Sequence, residues 1–259
     1  MDLDIRGRKA IVCASSQGLG KACALALAEA GVALVINARN RVQLQSTAEE
    51  IRRATGVEVT AVAGDVSTRE GQEALIAACP APDILVNNNG GPPFRDFREL
   101  DREALLAGVT MNMVTPIELV QRVVDGMATH RFGRIVNITS QSVKMPLSGL
   151  DLSSGARAGL TAFLAGVARS VADKNVTINS LLPGSFDTAR LRSGFAGAAK
   201  RSGLAESVIE EKARRDIPAK RFGHASELGR ACAFLCSAHA GYITGQSLVI
   251  DGGEYPGTF

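Results

Sequence analysis

Seven short runs of β-branched and apolar residues recur along this chain, and they constrain its fold more than any other feature. They are KAIVCAS (9–15), ALVINAR (33–39), VEVTAVAGDV (57–66), DILVNNN (83–89), RIVNITS (134–140), VTINSLLPG (176–184) and SLVIDGG (247–253). Each of the first six leads into sequence of helical period, so strand and helix alternate. That alternation predicts a doubly wound α/β fold built on a parallel sheet. At 259 residues and 46 % hydrophobic content the chain can bury a full core as one domain, 1–259. The rhythm breaks once, between Ser185 and Ala225, where LRSGFAGAAKRSGLAES gives way to the charge-rich EEKARRDIPAKR. An insertion at the carboxyl end of a strand is where a substrate lid sits, so a lid is expected at about 185–225; a solvated surface helix pair is the alternative.

The first strand runs into CASSQGLG, Cys13 to Gly20, and then into a helix. Gly18 and Gly20 let backbone amides and the helix N-terminus approach a pyrophosphate, with Ala14, Ser16, Gln17 and Leu19 completing the turn. Such turns also serve helix packing, so the motif alone leaves both readings open. About twenty residues further on, an NAD site places an acidic residue on the ribose hydroxyls. Here the second strand ends in NARNR, which supplies Arg39, Asn40 and Arg41 and no acid. A guanidinium fork suits the extra 2′-phosphate of NADP(H), which is therefore favoured over NAD(H). A solvated loop arginine is the alternative, and it applies more to Arg41 than to Arg39.

With these motifs in this order, the chain resembles the short-chain dehydrogenases/reductases along essentially its whole length, and is similar in particular to 3-oxoacyl-carrier-protein reductases. The family's Gly-rich turn corresponds to Cys13–Gly20 and its adenine-side Asp-Val to Asp65 and Val66. Its Asn-Asn-Ala-Gly corresponds to Asn87, Asn88, Asn89 and Gly90, and its Pro-Gly with a following Thr to Pro183, Gly184 and Thr188. YITGQSLVIDGG, Tyr242 to Gly253, looks like the family's last-strand signature. The resemblance implies a Rossmann-type three-layer sandwich on a seven-stranded parallel sheet, cofactor contacts from those residues, and a homotetramer formed through two long central helices and the last strand. Two departures in the cofactor site matter. Ala14 replaces the first glycine; a β-carbon disfavours positive φ, so a turn that tolerates one is expected. Gln17 replaces a basic residue, which leaves Arg39 with more of the phosphate contact.

The family's chemistry is carried by Asn, Ser, Tyr and Lys. The resemblance places the Asn at Asn112, in VTMNMVT, and the Ser at Ser140. The Tyr should follow thirteen residues later and the Lys four beyond it, but LDLSSGARAGL (150–160) puts Ser153 and Arg157 there. A phenol, with a pKa of about 10, can be drawn toward neutrality by a nearby cation and donate to a developing alkoxide. An alkyl hydroxyl is a far weaker acid, and the shorter Ser153 needs a bridging water to reach the same carbonyl. Arg157 keeps the positive charge but stays protonated at any working pH. Lys144, in SQSVKMP, is the nearest titratable group in sequence and a candidate substitute acid, a solvated loop lysine being the alternative. Asp151 suits the helix N-terminus. Beyond it Ala156, Leu160, Phe163, Leu164, Val167 and Val171 make one apolar face for the sheet or a partner helix.

Three functions are compatible with this pattern. The first is an NADP(H)-dependent oxidoreductase moving a hydride to or from a small-molecule carbonyl or alcohol, with an atypical proton donor. The second is a nucleotide-binding sensor or oligomer partner without that chemistry. The third is a cofactor-free lyase resembling the haloalcohol dehalogenases, which carry Arg at the Lys position but keep the Tyr. GGPPFRDF (90–97), Met145, Pro146, Phe186, Leu191 and Phe195 are candidates for an apolar substrate pocket. A net charge of +3 and 4 % aromatic residues with no Trp argue against nucleic acid. The three histidines lack a Ser or Cys partner at a recognisable spacing, which argues against a hydrolase triad. The five cysteines, with Cys232 and Cys236 a helical turn apart, read as buried thiols rather than a metal site. The opening MDLDIRGRKAIVCAS supplies neither a signal peptide nor a spanning helix, so a cytoplasmic location and no membrane partner are expected.

Overall fold

The structure is a computed structural model that describes residues 2–92 and 94–258. Its seven strands are β1 (Lys9–Val12), β2 (Ala33–Ala38), β3 (Val59–Ala63), β4 (Ile84–Asn87), β5 (Gly133–Ile138), β6 (Val176–Pro183) and β7 (Ser247–Ile250). They form one sheet in the order β3-β2-β1-β4-β5-β6-β7, and every neighbouring pair is parallel. The winding therefore reverses between β1 and β4, as expected for a doubly wound sheet.

The helices are α1 (Gly18–Glu29), α2 (Arg41–Thr55), α3 (Arg69–Ala78), α4 (Arg102–Val109), α5 (Thr115–Thr129), α6 (Asp151–Val171), α7 (Ala189–Ser202), α8 (Glu206–Asp216) and α9 (Ala225–Leu235). Because side chains alternate along a strand, each strand feeds two cores. Ala10 and Val12 of β1 join Leu27 of α1, Leu44 and Ile51 of α2 and Leu228 of α9 on one face. Ile11 joins Leu75 of α3, Leu119 and Val123 of α5 and Leu160 and Leu164 of α6 on the other. The result is the three-layer sandwich, in which each fully buried Leu or Ile contributes roughly 1.5–3 kcal/mol relative to exposure.

Backbone approach decides the tightest seam. A β-carbon on Gly229 of α9 would stand 2.4 Å from the Ala22 carbonyl oxygen of α1, so only glycine allows the two helices this close. All five cysteines are free and buried. At this seam a hydrogen bond with Cys232, and then burial, push the Cys23 thiol well above its ordinary value. Among the described residues, no group of three or more His, Cys, Asp or Glu is placed to hold a metal ion.

Helix α6 buries Ser153, Ala156, Arg157, Leu160, Leu164 and Ala168. The predicted apolar face is narrower than the spacing suggests, because Phe163 turns outward and is 47 % exposed. A π-helical turn, Thr110–Val114, joins α4 to α5. Pro116, inside the first turn of α5, has no N–H for the Asn112 carbonyl four residues back and its ring crowds that carbonyl, which is the physical reason for the wider turn. The joined rod, Arg102–Thr129, is long and apolar enough by length and composition to cross a membrane. Here its α5 half packs Leu119, Val120, Val123 and Met127 into the sheet's second core, while Leu105 and Leu106 of α4 stay exposed. The interrupted segment between Ser185 and Ala225 folds as the α7–α8 pair; Phe195 of α7 is buried and lies 5.6 Å, centroid to centroid, from the Phe222 ring, whereas α8 buries nothing fully.

Candidate active site

A cleft of about 1230 Å³ runs along the carboxyl ends of the strands, past the point where their order reverses. The turn after β1 forms one part of its floor. Ser15 ties that turn to β2 by donating its N–H to the Asn37 carbonyl at 2.8 Å, and the Asn88 side chain donates to the Ala14 carbonyl at 3.1 Å. A β-carbon on Gly20 would lie 2.3 Å from that same carbonyl and 2.7 Å from Asn88 Nδ2. Gly20 thus lets α1 approach the turn from behind rather than lining the cleft, while Gly18, at φ +57°, lines it.

Ala14 departs from the expectation of a turn comfortable for a β-carbon. Its φ is +45°, so it keeps the left-handed geometry of the glycine it replaces. That conformation costs an L-residue about 1–2 kcal/mol. Gln17 is the extended N-cap of α1, and its Oε1 accepts from Gln43 of α2 at 3.0 Å. Thr47 reaches the Ser16 carbonyl at 2.8 Å and fixes the same turn from α2.

At the end of β2 Arg39 is exposed, lines the cleft, and makes no hydrogen bond or ion pair among the described residues. Arg41 starts α2 and does not line the cleft, whereas Asn40 does and also caps α2 by accepting from the Gln43 N–H at 3.1 Å. Asp65 accepts from the Ser67 hydroxyl at 2.6 Å, and this bond holds its carboxyl below the usual range. Ser16, Leu19, Val66, Asn88, Asn89, Gly90, Pro183, Gly184 and Thr188 also line the cleft.

Its other end carries Ser140, Ser153 and Arg157. Ser140 is extended after β5, and its Oγ accepts from the Ser142 N–H at 3.1 Å, which leaves its O–H to donate. Arg157 donates Nε–H to Ser153 Oγ at 3.2 Å, Nη1–H to the Ile138 carbonyl at 2.8 Å and Nη2–H to the Asn89 carbonyl at 3.3 Å. Ser153 accepts a charge-assisted bond and donates its own hydrogen to no acceptor among the described residues. Burial first, then the nearby Arg190 cation, draw the Arg157 guanidinium down to about 10. It therefore remains a cation near neutrality but titrates below the range the sequence suggests.

Two expected catalytic residues sit elsewhere. Asn112 is buried in the π-helical turn, donates to the Gly108 carbonyl at 3.2 Å, and faces a separate space of about 10 Å³ that Arg157 also touches. Lys144 follows a one-turn 3₁₀ helix, Gln141–Val143, and does not line the cleft; its Nζ lies 5.8 Å from the Tyr255 ring centroid. Of the expected pocket residues, Gly90, Gly91, Phe94, Phe186, Leu191 and Phe195 line the cleft and Met145 and Pro146 do not. Pro93 lies outside the described residues.

Sequence reasoning missed three features. A buried amide ladder runs across the sheet from Asn87 to Asn137 at 2.9 Å, on to the Asn179 carbonyl at 3.2 Å, and from Asn179 to the Ile243 carbonyl at 2.7 Å. The signal was an Asn inside each of three apolar runs. Asn89 holds the Met111 carbonyl at 2.9 Å, beside the π turn. Arg190 of α7 reaches back to the loop after β4, donating to the Gly91 and Pro92 carbonyls at 3.2 and 3.1 Å.

A sheet wound this way, with a glycine turn at its switch point, defines a dinucleotide-binding α/β protein. A family model described as enoyl-(acyl carrier protein) reductase matches residues 13–254. The NADPH-dependent reductase BacG of Bacillus subtilis (strain 168) is 35 % identical over 252 residues, covering 95 % of this chain and 97 % of that protein. The 3-oxoacyl-[acyl-carrier-protein] reductase FabG of Aquifex aeolicus is 30 % identical, covering 98 % of this chain and 100 % of that one. Among solved structures, L-sorbose reductase from Gluconobacter frateurii, complexed with NADPH and L-sorbose, gives a TM-score of 0.93 at 29 % identity, with 99 % of this chain and 100 % of that chain covered. The chain belongs to the short-chain dehydrogenase/reductase family, and its class is oxidoreductase.

Proposed function

We propose that this chain is an NADP(H)-dependent oxidoreductase acting on a small carbonyl or alcohol, with Ser153 standing in for the family's tyrosine as hydrogen-bond donor. One observation carries the reading: a single cleft connects the Gly18 turn and the unpaired Arg39 to Ser140 and Ser153. The cofactor fits on structural grounds. Gly18 leaves the turn open to a close backbone approach, and Arg39 offers an uncommitted guanidinium to a 2′-phosphate. Relatives described as NADPH-dependent point the same way.

When bound, the nicotinamide supplies or accepts the hydride. Ser140 donates its O–H to the substrate oxygen. Ser153 directs its uncommitted O–H to the same region, its Oγ held by Arg157 Nε. Water in the open cleft supplies the proton through Ser153, and the Arg157 cation stabilises negative charge developing on the oxygen. The α7–α8 pair is the lid, with Leu191 and Phe195 facing the cleft. A cytoplasmic homotetramer completes the reading.

Steady-state reduction of a carbonyl panel tests it. Ser140→Ala should lower turnover at least about a hundredfold, and Arg39→Ala should remove the advantage of NADPH over NADH. Unchanged turnover in Ser140→Ala rejects the assignment. One observation favours the non-catalytic sensor instead: Arg157 commits all three nitrogens to protein acceptors. On that reading the wild type binds NADPH and reduces nothing on the panel.

A further inference from the structure

Arg157 and Arg190 converge on one wall of the cleft. The place a Gly91 β-carbon would occupy is 2.8 Å from Arg190 Nη2 and 3.8 Å from Arg157 Nη2. Both guanidiniums line the cleft at the end that carries Ser140 and Ser153. Among the described residues every hydrogen-bond partner they have is neutral: the Ser153 hydroxyl and the carbonyls of Ile138, Asn89, Gly91 and Pro92.

Like charges at this separation repel, and Arg157 is only 7 % exposed, so solvent does little to screen it. No described carboxylate offsets the pair. Asp187, the nearest acid in sequence to Arg190, is held by Arg192 at 2.9 and 3.1 Å. Asp65 is bound to Ser67 beyond β3. A guanidinium has five N–H donors. Arg157 uses three of them and Arg190 two, so both retain donors for a further acceptor.

We propose that Arg157 and Arg190 form the recognition site for a carboxylate on the substrate, which makes the substrate a short free oxo acid or hydroxy acid. An anion there removes the repulsion between the two cations and accepts charge-assisted bonds from both forks. Because Ser153 Oγ lies 3.2 Å from Arg157 Nε, the carbonyl and the carboxylate are close neighbours in the substrate, as in a 2-oxo or 3-oxo acid. Gly91 keeps the space between the two forks open. An ester or a thioester presents no anion and is discriminated against.

This inference deepens the reductase reading and rests on it for the name of the substrate, but binding can be measured without turnover. Calorimetric titration with 2-oxobutyrate, with 3-oxobutyrate and with their methyl esters is run on the wild type, Arg190→Ala and Arg190→Lys, alongside fluorescence titration with NADPH. Arg190 is exposed, so its variants are expected to fold, and melting curves check this. At least one acid should bind about ten-fold or more tightly than its ester. Arg190→Ala should abolish that preference and Arg190→Lys restore part of it, with NADPH affinity changed less than two-fold.

Equal binding of acid and ester, or no binding of either acid, overturns the proposal. So does a matching loss of NADPH affinity in Arg190→Ala, which would assign the pair to a cofactor phosphate. Arg190-dependent binding of an acid with no carbonyl reduced would leave the site standing and reject the reductase reading. Turnover of uncharged carbonyls with no acid bound would do the reverse.

Discussion

Ala14 shows how far single residues can be read from sequence. Its replacement of a glycine was visible, but not the φ of +45° it adopts. A lone β-carbon argument favours a relaxed turn; the backbone follows instead the hydrogen bonds from Ser15 to Asn37 and from Asn88 to Ala14. Ala14→Gly should therefore stabilise the protein by about 0.5–1 kcal/mol, the relief of left-handed strain exceeding the entropy that glycine gains in the unfolded chain. Chemical denaturation of the two proteins measures this, and a destabilised variant would show that the methyl's packing outweighs the strain. Arg157 gives the same lesson. Its position and its i, i+4 pairing with Ser153 were legible, and its bonds to Ile138 and Asn89 were not, because they depend on carbonyls at the end of β5 and just past β4 that the sheet brings to one edge.

Among elements, all seven strands were legible as apolar runs, yet the runs overreach the strands at their carboxyl ends. VEVTAVAGDV becomes Val59–Ala63 and DILVNNN becomes Ile84–Asn87. The residues shed from the ladder, Gly64 to Val66 and Asn88 to Asn89, are those that line the cleft. Strand propensity alone does not tell a pairing residue from one released to face a ligand. The break after β6 was legible as a lid or a helix pair; the segment folds as the helix pair α7–α8, with Leu191 and Phe195 lining the cleft.

Helix α9 begins with a device the sequence reading passed over. Glu227 accepts from the His224 N–H at 2.8 Å and is bridged by Arg221 at 2.7 Å. The Arg221 bond, then the His224 N–H, hold its carboxyl down to about 2. A depressed carboxylate contributes stability that is fully present above its unfolded value of about 4.5 and is lost as pH falls through about 2. Glu227 is partly exposed, so the contribution is at most about 1 kcal/mol. Glu227→Gln should unfold more easily than the wild type at pH 6, and the gap should close as pH approaches 2. A gap independent of pH would show that the carboxylate's charge is not what caps the helix.

For the whole molecule, the β7 edge and the outer face of α4 and α6 are two of the surfaces left open among the described residues. β7 ends the sheet with one neighbouring strand, and its Leu248 is 47 % exposed. On the outer helical layer Phe163 of α6 is also 47 % exposed, and Leu105 and Leu106 of the adjacent α4 are 42 % and 56 % exposed. An open strand edge and an exposed aromatic patch are both open to pairing with another chain. If each surface meets its own copy about a two-fold axis, two distinct self-complementary interfaces close into a four-subunit assembly. Sedimentation equilibrium should then give four times 27.1 kDa for the wild type. Phe163→Glu places a charge in the helical interface and leaves the β7 contact intact, so it should halve the assembly to a dimer. Leu248→Lys should halve it by the other route, and the double variant should be monomeric. A wild type that sediments as a monomer with both patches exposed would refute the arrangement.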